Sequence, residues 1–177
     1  ISAEAGGFTK CIDLAEKKGD KKGFFCPKQF ANVSNPLAHY KGTAPELNAQ
    51  LSKNGIDNLD AFVTGAGTGG TIMGFHRYFS QINEDFQAFP VFPENNSDGS
   101  HRIEGIGDSF VPEILSLEEL GAMMRISDSD AIAVARLINK SGLSVGISSG
   151  ANLLAATKKA FELKNGAIVG TILCDDS

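Results

Sequence analysis

The amino-acid sequence predicts an α/β fold, in which a mostly parallel sheet is covered by helices on both faces. Short apolar segments of strand type alternate with amphipathic segments of helix type along the 177 residues. This alternation is typical of parallel strands joined by helical crossovers. A glycine-rich segment at residues 63–71 joins one such strand directly to one such helix, and junctions of this kind commonly bind phosphate groups.

The first part of the chain is predicted to form a helix and then a short strand. Residues 8–18 carry apolar side chains on one side at the 3.6-residue spacing of an amphipathic helix, which Gly19 ends. Residues 23–26 are a short apolar stretch stopped by Pro27. This pattern favours a buried strand, followed by a loop that crosses towards the rest of the chain.

The next elements surround the glycine-rich segment. Thr43 and Glu46 have the spacing of a capping box with a proline between them, which predicts a helix over residues 43–53. The apolar residues 61–63 predict a strand before the glycines, and the periodicity of residues 72–79 predicts a helix after them.

The remaining elements repeat the alternation of strand and helix. Apolar stretches predict further strands at residues 88–92, 123–126, 143–147 and 167–174. A carboxylate-rich N-cap at residues 127–130 predicts a helix over residues 131–139, and a small-residue turn at 148–150 predicts another over residues 151–163.

Composition and charge exclude several classes of function. The net charge is −5 and basic residues form no cluster, which argues against nucleic acid and anionic membranes as partners. No apolar run approaches the ~20 residues of a membrane span. The three cysteines are widely spaced without a C-x-x-C pair, so we expect reduced, partly buried thiols of a cytoplasmic protein and no metal site.

The glycine-rich segment allows two kinds of ligand and one purely structural role. Residues 65–70 spell G-x-G-x-x-G, and Glu94 follows the next predicted strand, as in a nicotinamide dinucleotide site. Thr68 and Thr71 add hydroxyl donors, which favour a phosphate monoester over a pyrophosphate that must pass bare backbone. A tight structural turn would not need so many small residues.

Two polar residues outside this segment are further candidates. Ser148 opens a predicted helix, where it is either an N-cap or a ligand contact. Residues 146–150 also spell the G-x-S-x-G of a serine hydrolase, but no histidine follows Ser148 to complete a triad. Gln29 is either a specificity contact or a solvated loop residue.

Taken in this order, the motifs resemble the cysteine synthase (O-acetylserine sulfhydrylase) family of fold-type II pyridoxal-phosphate enzymes. Four groups of segments carry the resemblance, which spans nearly the whole chain. They are residues 29–30 with 35–36 and 42–46, residues 65–71, residues 103–107 with 110–112, and residues 142–143 with 146–151.

The resemblance implies roles for individual residues. The cofactor phosphate would be held by Gly67, Thr68, Gly69, Gly70 and Thr71. Ser148 would hydrogen-bond the pyridine nitrogen of pyridoxal 5'-phosphate, and a neutral hydroxyl, unlike a carboxylate, would not keep that ring protonated. Gln29 would contact the substrate carboxylate, and Gly105 would lie on a loop that closes the active site.

The resemblance also implies that the chain is a fragment, lacking the N-terminal part and the C-terminal end. Residues 1–34 would be the C-terminal part of the small domain, and residues 35–177 an incomplete large cofactor-binding domain. The family's cofactor lysine stands in a Ser-x-Lys context, which none of the twelve lysines here has, so this chain alone is expected to be inactive.

For the intact protein, the resemblance implies a homodimeric, cytoplasmic enzyme that makes cysteine from O-acetylserine and sulfide. Cystathionine β-synthase and diaminopropionate synthase share the same motifs and remain alternatives. A non-catalytic nicotinamide dinucleotide-binding module is the alternative from a different class.

Overall fold

A four-stranded parallel sheet forms the centre of the computed structural model, which describes residues 7–94, 101–107 and 110–175. The strands are β1 (Ala61–Gly65), β2 (Gln87–Pro93), β3 (Met124–Ile126) and β4 (Val169–Thr171), in the order β3-β2-β1-β4. The α-helices are α1 (Gly7–Gly19), α2 (Ser34–Ala38), α3 (Ala44–Lys53), α4 (Gly70–Phe79), α5 (Asp128–Lys140) and α6 (Ile147–Glu162). All three strand pairs are parallel, which confirms the predicted α/β class.

Helices cover both faces of this sheet, because successive side chains of a strand point to opposite sides. Phe62 of β1 packs into an apolar cluster with α4, where its ring stacks on Phe75 at 3.9 Å between centroids. Its neighbour Val63 packs into a second cluster with Ala151 and Ala155 of α6, on which α5 also packs. The two-sided covering expected from the alternating sequence is therefore present.

The helix predicted over residues 43–53 is present as α3, but its predicted capping box is not formed, because a single helical segment runs from residue 34 to residue 53. α2 continues through one π-helical turn, His39–Thr43, into α3. Thr43 has helical angles (φ −61°, ψ −43°) and makes no side-chain cap. The wide turn, closed by the Ala44 N–H on the His39 carbonyl, leads into Pro45, which has no N–H to satisfy.

The predicted strand at residues 23–26 is also wrong, since these residues form a loop. Phe24 and Phe25 are 53% and 85% exposed, so the apolar stretch is not buried, and Lys18 lies over the Phe24 ring. α1 likewise leaves apolar side chains such as Leu14 exposed. Cys11 and Cys174 are exposed rather than partly buried, and all three cysteines are free thiols.

Residues 143–146 form a loop where a strand was predicted, because a side chain takes the backbone bonds that a strand would need. Asn139 donates from Nδ2 to the Val145 carbonyl at 3.0 Å and accepts from the Val145 N–H at 2.8 Å. α6 then begins at Ile147, so the predicted turn at 148–150 is the first turn of that helix. By contrast, Ser127 caps α5 as expected, accepting from the Asp130 N–H. Among the described residues, no helix has the length and apolar content to cross a membrane.

Candidate functional site

The glycine-rich segment leads from the end of β1 into the first turn of α4. Gly69, the N-cap of α4, has φ +86°, a left-handed conformation that favours glycine. Gly67 has no space for a side chain, since a Cβ there would lie 2.3 Å from the carbonyl oxygen of Gly105. Bare backbone is thereby placed at the N-terminus of a ten-residue helix, where the helix dipole favours an anion.

The hydroxyl of Thr68 in this segment is held as a hydrogen-bond acceptor by two donors. Asn35 donates from Nδ2 to Thr68 Oγ1 at 3.0 Å, and the Gly70 N–H donates to the same oxygen at 3.3 Å. A hydroxyl has two lone pairs and one proton, so these bonds leave the proton of Thr68 for an acceptor such as a phosphate oxygen. Asn35 is itself fixed by the Gln29 carbonyl at 2.9 Å.

Thr71 is oriented by a histidine on the neighbouring helical segment. His39 Nε2 lies 3.3 Å from Thr71 Oγ1, and His39 Nδ1 lies 3.1 Å from Thr43 Oγ1. Burial lowers the pKa of His39, which favours the neutral ring. At neutral pH this histidine therefore orients hydroxyls rather than supplying a positive charge.

Asn152 connects the glycine-rich segment to α6 and was not singled out from the sequence. Its Oδ1 accepts from the Gly65 N–H at 2.7 Å, and its Nδ2 donates to the Ile172 carbonyl at 2.9 Å. Asn152 is fully buried and stands one helical turn after Ser148. The sequence signal that could have identified Asn152 is that it is the single amide side chain among the small and apolar residues 150–156.

Ser148 lies in the first turn of α6 beside a polar cavity of about 440 Å³. The other residues that line this cavity are His101, Arg102, Glu104, Ile147 and Asp175. Ser148 is 8% exposed and donates from Oγ to Asp175 Oδ2 at 3.2 Å. His101 Nδ1 is buried and has no hydrogen-bond partner within the described residues, so a polar atom remains free for a ligand here.

The predicted site residues are brought together only in part. Gly105, with φ +81°, lies against Gly67, and its neighbour Glu104 lines the Ser148 cavity, so the loop 103–107 connects the two places. The Gln29 side chain is exposed and lines a separate groove of about 240 Å³ with Cys11 and Cys26. Within the described residues, only the Gln29 carbonyl reaches this network, through Asn35.

Comparison with known proteins gives the family. Residues 2–175 match the model of the pyridoxal-phosphate dependent enzyme family. Cysteine synthase B of Campylobacter jejuni is 41% identical over 157 residues, which cover 85% of this chain and 51% of that protein. A hydrogen sulfide-producing enzyme from Fusobacterium nucleatum has a TM-score of 0.86 at 34% identity, covering 97% of this chain and 52% of that one. An O-acetylserine dependent cystathionine beta-synthase from Helicobacter pylori has a TM-score of 0.83 at 36% identity, covering 97% and 56%.

The chain spans about half the length of the curated relatives it matches. The site geometry fits the cofactor that the family implies. The bare backbone at Gly67 and the Thr68 hydroxyl that is left to donate suit a phosphate. His101 Nδ1, which has no partner among the described residues, lies in a second polar cavity. The sequence match and the site together show that the chain belongs to the pyridoxal-phosphate dependent enzyme family.

Proposed function

We propose that this chain forms the cofactor-binding part of an enzyme that replaces the acetoxy group of O-acetylserine with sulfide, giving cysteine and acetate. The observation that carries the proposal is the Thr68 hydroxyl, accepting from Asn35 and Gly70 and so left to donate at the N-terminus of α4. Relatives named cysteine synthase, 34–41% identical to this chain, support the choice of reaction.

In this proposal, different residues of the chain bind the two ends of the cofactor. The phosphate is bound by Gly67, Thr68, Gly69, Gly70 and Thr71. Ser148 faces the ring nitrogen, Gly105 lies on the segment that closes over the substrate, and Gln29 contacts the substrate carboxylate. Bound pyridoxal phosphate supplies the electron sink that allows the β-substituent to leave.

The complete enzyme includes parts that these 177 residues do not supply. We place the cofactor lysine outside them, because no lysine of the chain stands in the family's Ser-x-Lys context. Residues 1–34 then belong to a small domain, and residues 35–177 to the large one. We propose that the enzyme is a homodimeric transferase of the cytoplasm.

A second reaction is supported by one of the structural relatives. The Helicobacter pylori relative is named an O-acetylserine dependent cystathionine beta-synthase, so a thiol amino acid is the alternative nucleophile. Purified full-length protein should be supplied with O-acetylserine and either sulfide or homocysteine, and the products measured. Faster formation of cysteine supports our proposal, whereas faster formation of cystathionine overturns it in favour of the alternative. Absence of cofactor absorbance overturns both.

Thr68→Val tests the phosphate end directly. The variant keeps the shape but removes the hydroxyl, so one charge-assisted bond is lost and Asn35 and Gly70 lose their acceptor. We expect pyridoxal phosphate to bind about tenfold more weakly in a titration of the full-length protein. Thr157→Val is the matched control, since the Thr157 hydroxyl only donates to the Leu153 carbonyl of its own helix. Equal affinity of the two variants would contradict the assignment.

A further inference from the structure

Asn35, in the first turn of α2, uses both protons of its side-chain amide. Its Nδ2 donates to the Gln29 carbonyl at 2.9 Å and to Thr68 Oγ1 at 3.0 Å. A carbonyl oxygen can only accept, so the atom that faces it is the amide nitrogen, and the orientation of the amide is fixed. One side chain therefore joins the backbone of Gln29 to the hydroxyl of Thr68.

Gly70 gives an independent reason to regard this link as built into the fold. It is the first residue of α4 and does not have a positive φ, so its conformation does not require glycine. A Cβ at Gly70, however, would lie 1.8 Å from Asn35 Oδ1 and 2.9 Å from Asn35 Nδ2. Glycine is therefore required here by the position of the Asn35 amide.

The segment that carries Gln29 is held in place by side chains, because it forms neither a helix nor a strand. Asn32 donates from Nδ2 to the Pro27 carbonyl at 2.9 Å and accepts at Oδ1 from the Ser34 N–H at 2.9 Å. Lys28, with φ +49°, is the one non-glycine residue with a positive φ in the described part of the chain. A strained conformation of this kind persists only where surrounding contacts fix the backbone. The position of Gln29 therefore depends on the bonds that fix its loop.

We propose that Asn35 is a positioning residue that couples the substrate site to the cofactor site, by holding Gln29 to Thr68. This inference rests on the proposed function, in which Gln29 contacts the substrate carboxylate and Thr68 binds the cofactor phosphate. While Asn35 donates to the Thr68 oxygen, the Thr68 proton cannot be directed at Asn35 and is left for the phosphate. The same amide fixes the Gln29 backbone, so a change at one site is transmitted to the other.

Asn35→Asp tests the coupling most directly, because it keeps the size of the side chain and removes its donor. A carboxylate accepts from the Thr68 hydroxyl, which takes that proton away from the phosphate, and it has no proton to offer the Gln29 carbonyl. We expect pyridoxal phosphate to bind the full-length protein at least about tenfold more weakly in a titration. The KM for O-acetylserine, measured at saturating cofactor, should rise about tenfold. The kcat should change by less than about twofold, because the proposal gives Asn35 no contact with the reacting atoms.

Asn32→Asp is the matched control, since it adds the same charge and removes a similar bond in the same loop. It loses the donor to the Pro27 carbonyl but keeps an acceptor for the Ser34 N–H. We expect it to leave the affinity for pyridoxal phosphate unchanged and to raise the KM for O-acetylserine less than Asn35→Asp does. Thr68→Val breaks the link from the other side, and it is the second variant if Asn35→Asp does not fold. It should raise the KM for O-acetylserine about threefold, although Thr68 itself is assigned no contact with the substrate.

The outcomes separate this inference from the proposed function. An unchanged KM in Asn35→Asp overturns the coupling and leaves both proposed sites intact, and an unchanged KM in Thr68→Val does the same if Asn35→Asp does not fold. Equal rises in KM for Asn35→Asp and Asn32→Asp would also overturn it, because both would then act only by loosening the loop. A full-length protein that binds no pyridoxal phosphate overturns the proposed function, and this inference with it.

Discussion

Thr68 and Ser148 present hydroxyls of opposite polarity. The Thr68 oxygen accepts from Asn35 and Gly70, so its proton is left to donate. The Ser148 hydroxyl donates to Asp175, so in this arrangement its oxygen is left to accept. The neighbours of the two hydroxyls therefore differ, with an amide and a backbone N–H at Thr68 and a carboxylate at Ser148. In the proposed function, the cofactor phosphate lies at Thr68 and the ring nitrogen at Ser148.

The comparison shows that the role of a hydroxyl is fixed by its neighbours rather than by its own residue type. Asn35 lies 33 residues before Thr68, and Asp175 lies 27 residues after Ser148. Both partners reach the site only because helical and strand segments end at the same edge of the sheet. A motif that includes the hydroxyl alone therefore predicts a contact but not its direction.

Gly67→Ala should have the largest effect and should disable the phosphate end alone. The added Cβ, 2.3 Å from the Gly105 backbone oxygen, must push the loop apart, and overpacking of this kind costs about 1–3 kcal/mol. We expect the affinity for pyridoxal phosphate to fall about tenfold to a hundredfold in a titration of the full-length protein.

Gly42→Ala is the control for this variant. Gly42 lies in the π-helical turn, has no heavy atom within 4 Å of an added Cβ, and does not have a positive φ. Its substitution should leave the affinity unchanged. If Gly67→Ala bound the cofactor as tightly as Gly42→Ala, the phosphate would have to bind elsewhere.

Asn152→Ala should have an intermediate effect and weaken both ends at once. It leaves the Gly65 N–H and the Ile172 carbonyl without their partner, which should lower the free energy of unfolding by about 2 kcal/mol in urea denaturation. Asn83→Ala is matched, because Asn83 bridges the Leu59 carbonyl and the Asp85 N–H near the other end of β1. Both variants should lose stability, but only Asn152→Ala should lose cofactor affinity. Equal affinities would reduce Asn152 to a purely structural role.

The sequence was most informative where the residues that form a feature are adjacent in the chain. The glycine-rich segment needs bare backbone between a strand and a helix, and that need is visible in residues 65–71 themselves. The fold class follows from the same alternation. The strand predicted at 143–147 failed because Asn139, outside that stretch, takes the backbone bonds of Val145.

The other half of the site depends on contacts that no local pattern records. Asp175 meets Ser148 and Ser149 because the end of β4 reaches the start of α6. Asn152 joins β1 to α6 across 87 residues of sequence. Neither contact follows from periodicity or capping, since both require the packed sheet to exist first.

His39→Gln should have the smallest effect and should sharpen the comparison by testing the electrostatics of the phosphate end. Burial lowers the pKa of His39, whereas in the unfolded chain it titrates near ~6.5. Below that pH the unfolded state binds more protons, so the free energy of unfolding falls as the pH drops towards the lowered pKa. In His39→Gln this loss should be smaller, and the difference from the wild type should be slight because the ring is only half-buried.

His76→Gln is the control that distinguishes an effect on the stability of the fold from an effect on cofactor binding. The pKa of His76 is also lowered, mainly by burial, although Glu119 opposes the shift, so this variant should reduce the same pH dependence of unfolding. His76 lies within hydrogen-bond distance of Ser80, the C-cap of α4, and not of Thr71, so only His39→Gln should change how cofactor affinity varies between pH 5 and 7. If both variants changed that affinity profile equally, the neutral His39 would have no particular part in orienting Thr71. The phosphate would then be held by the loop and the helix dipole alone.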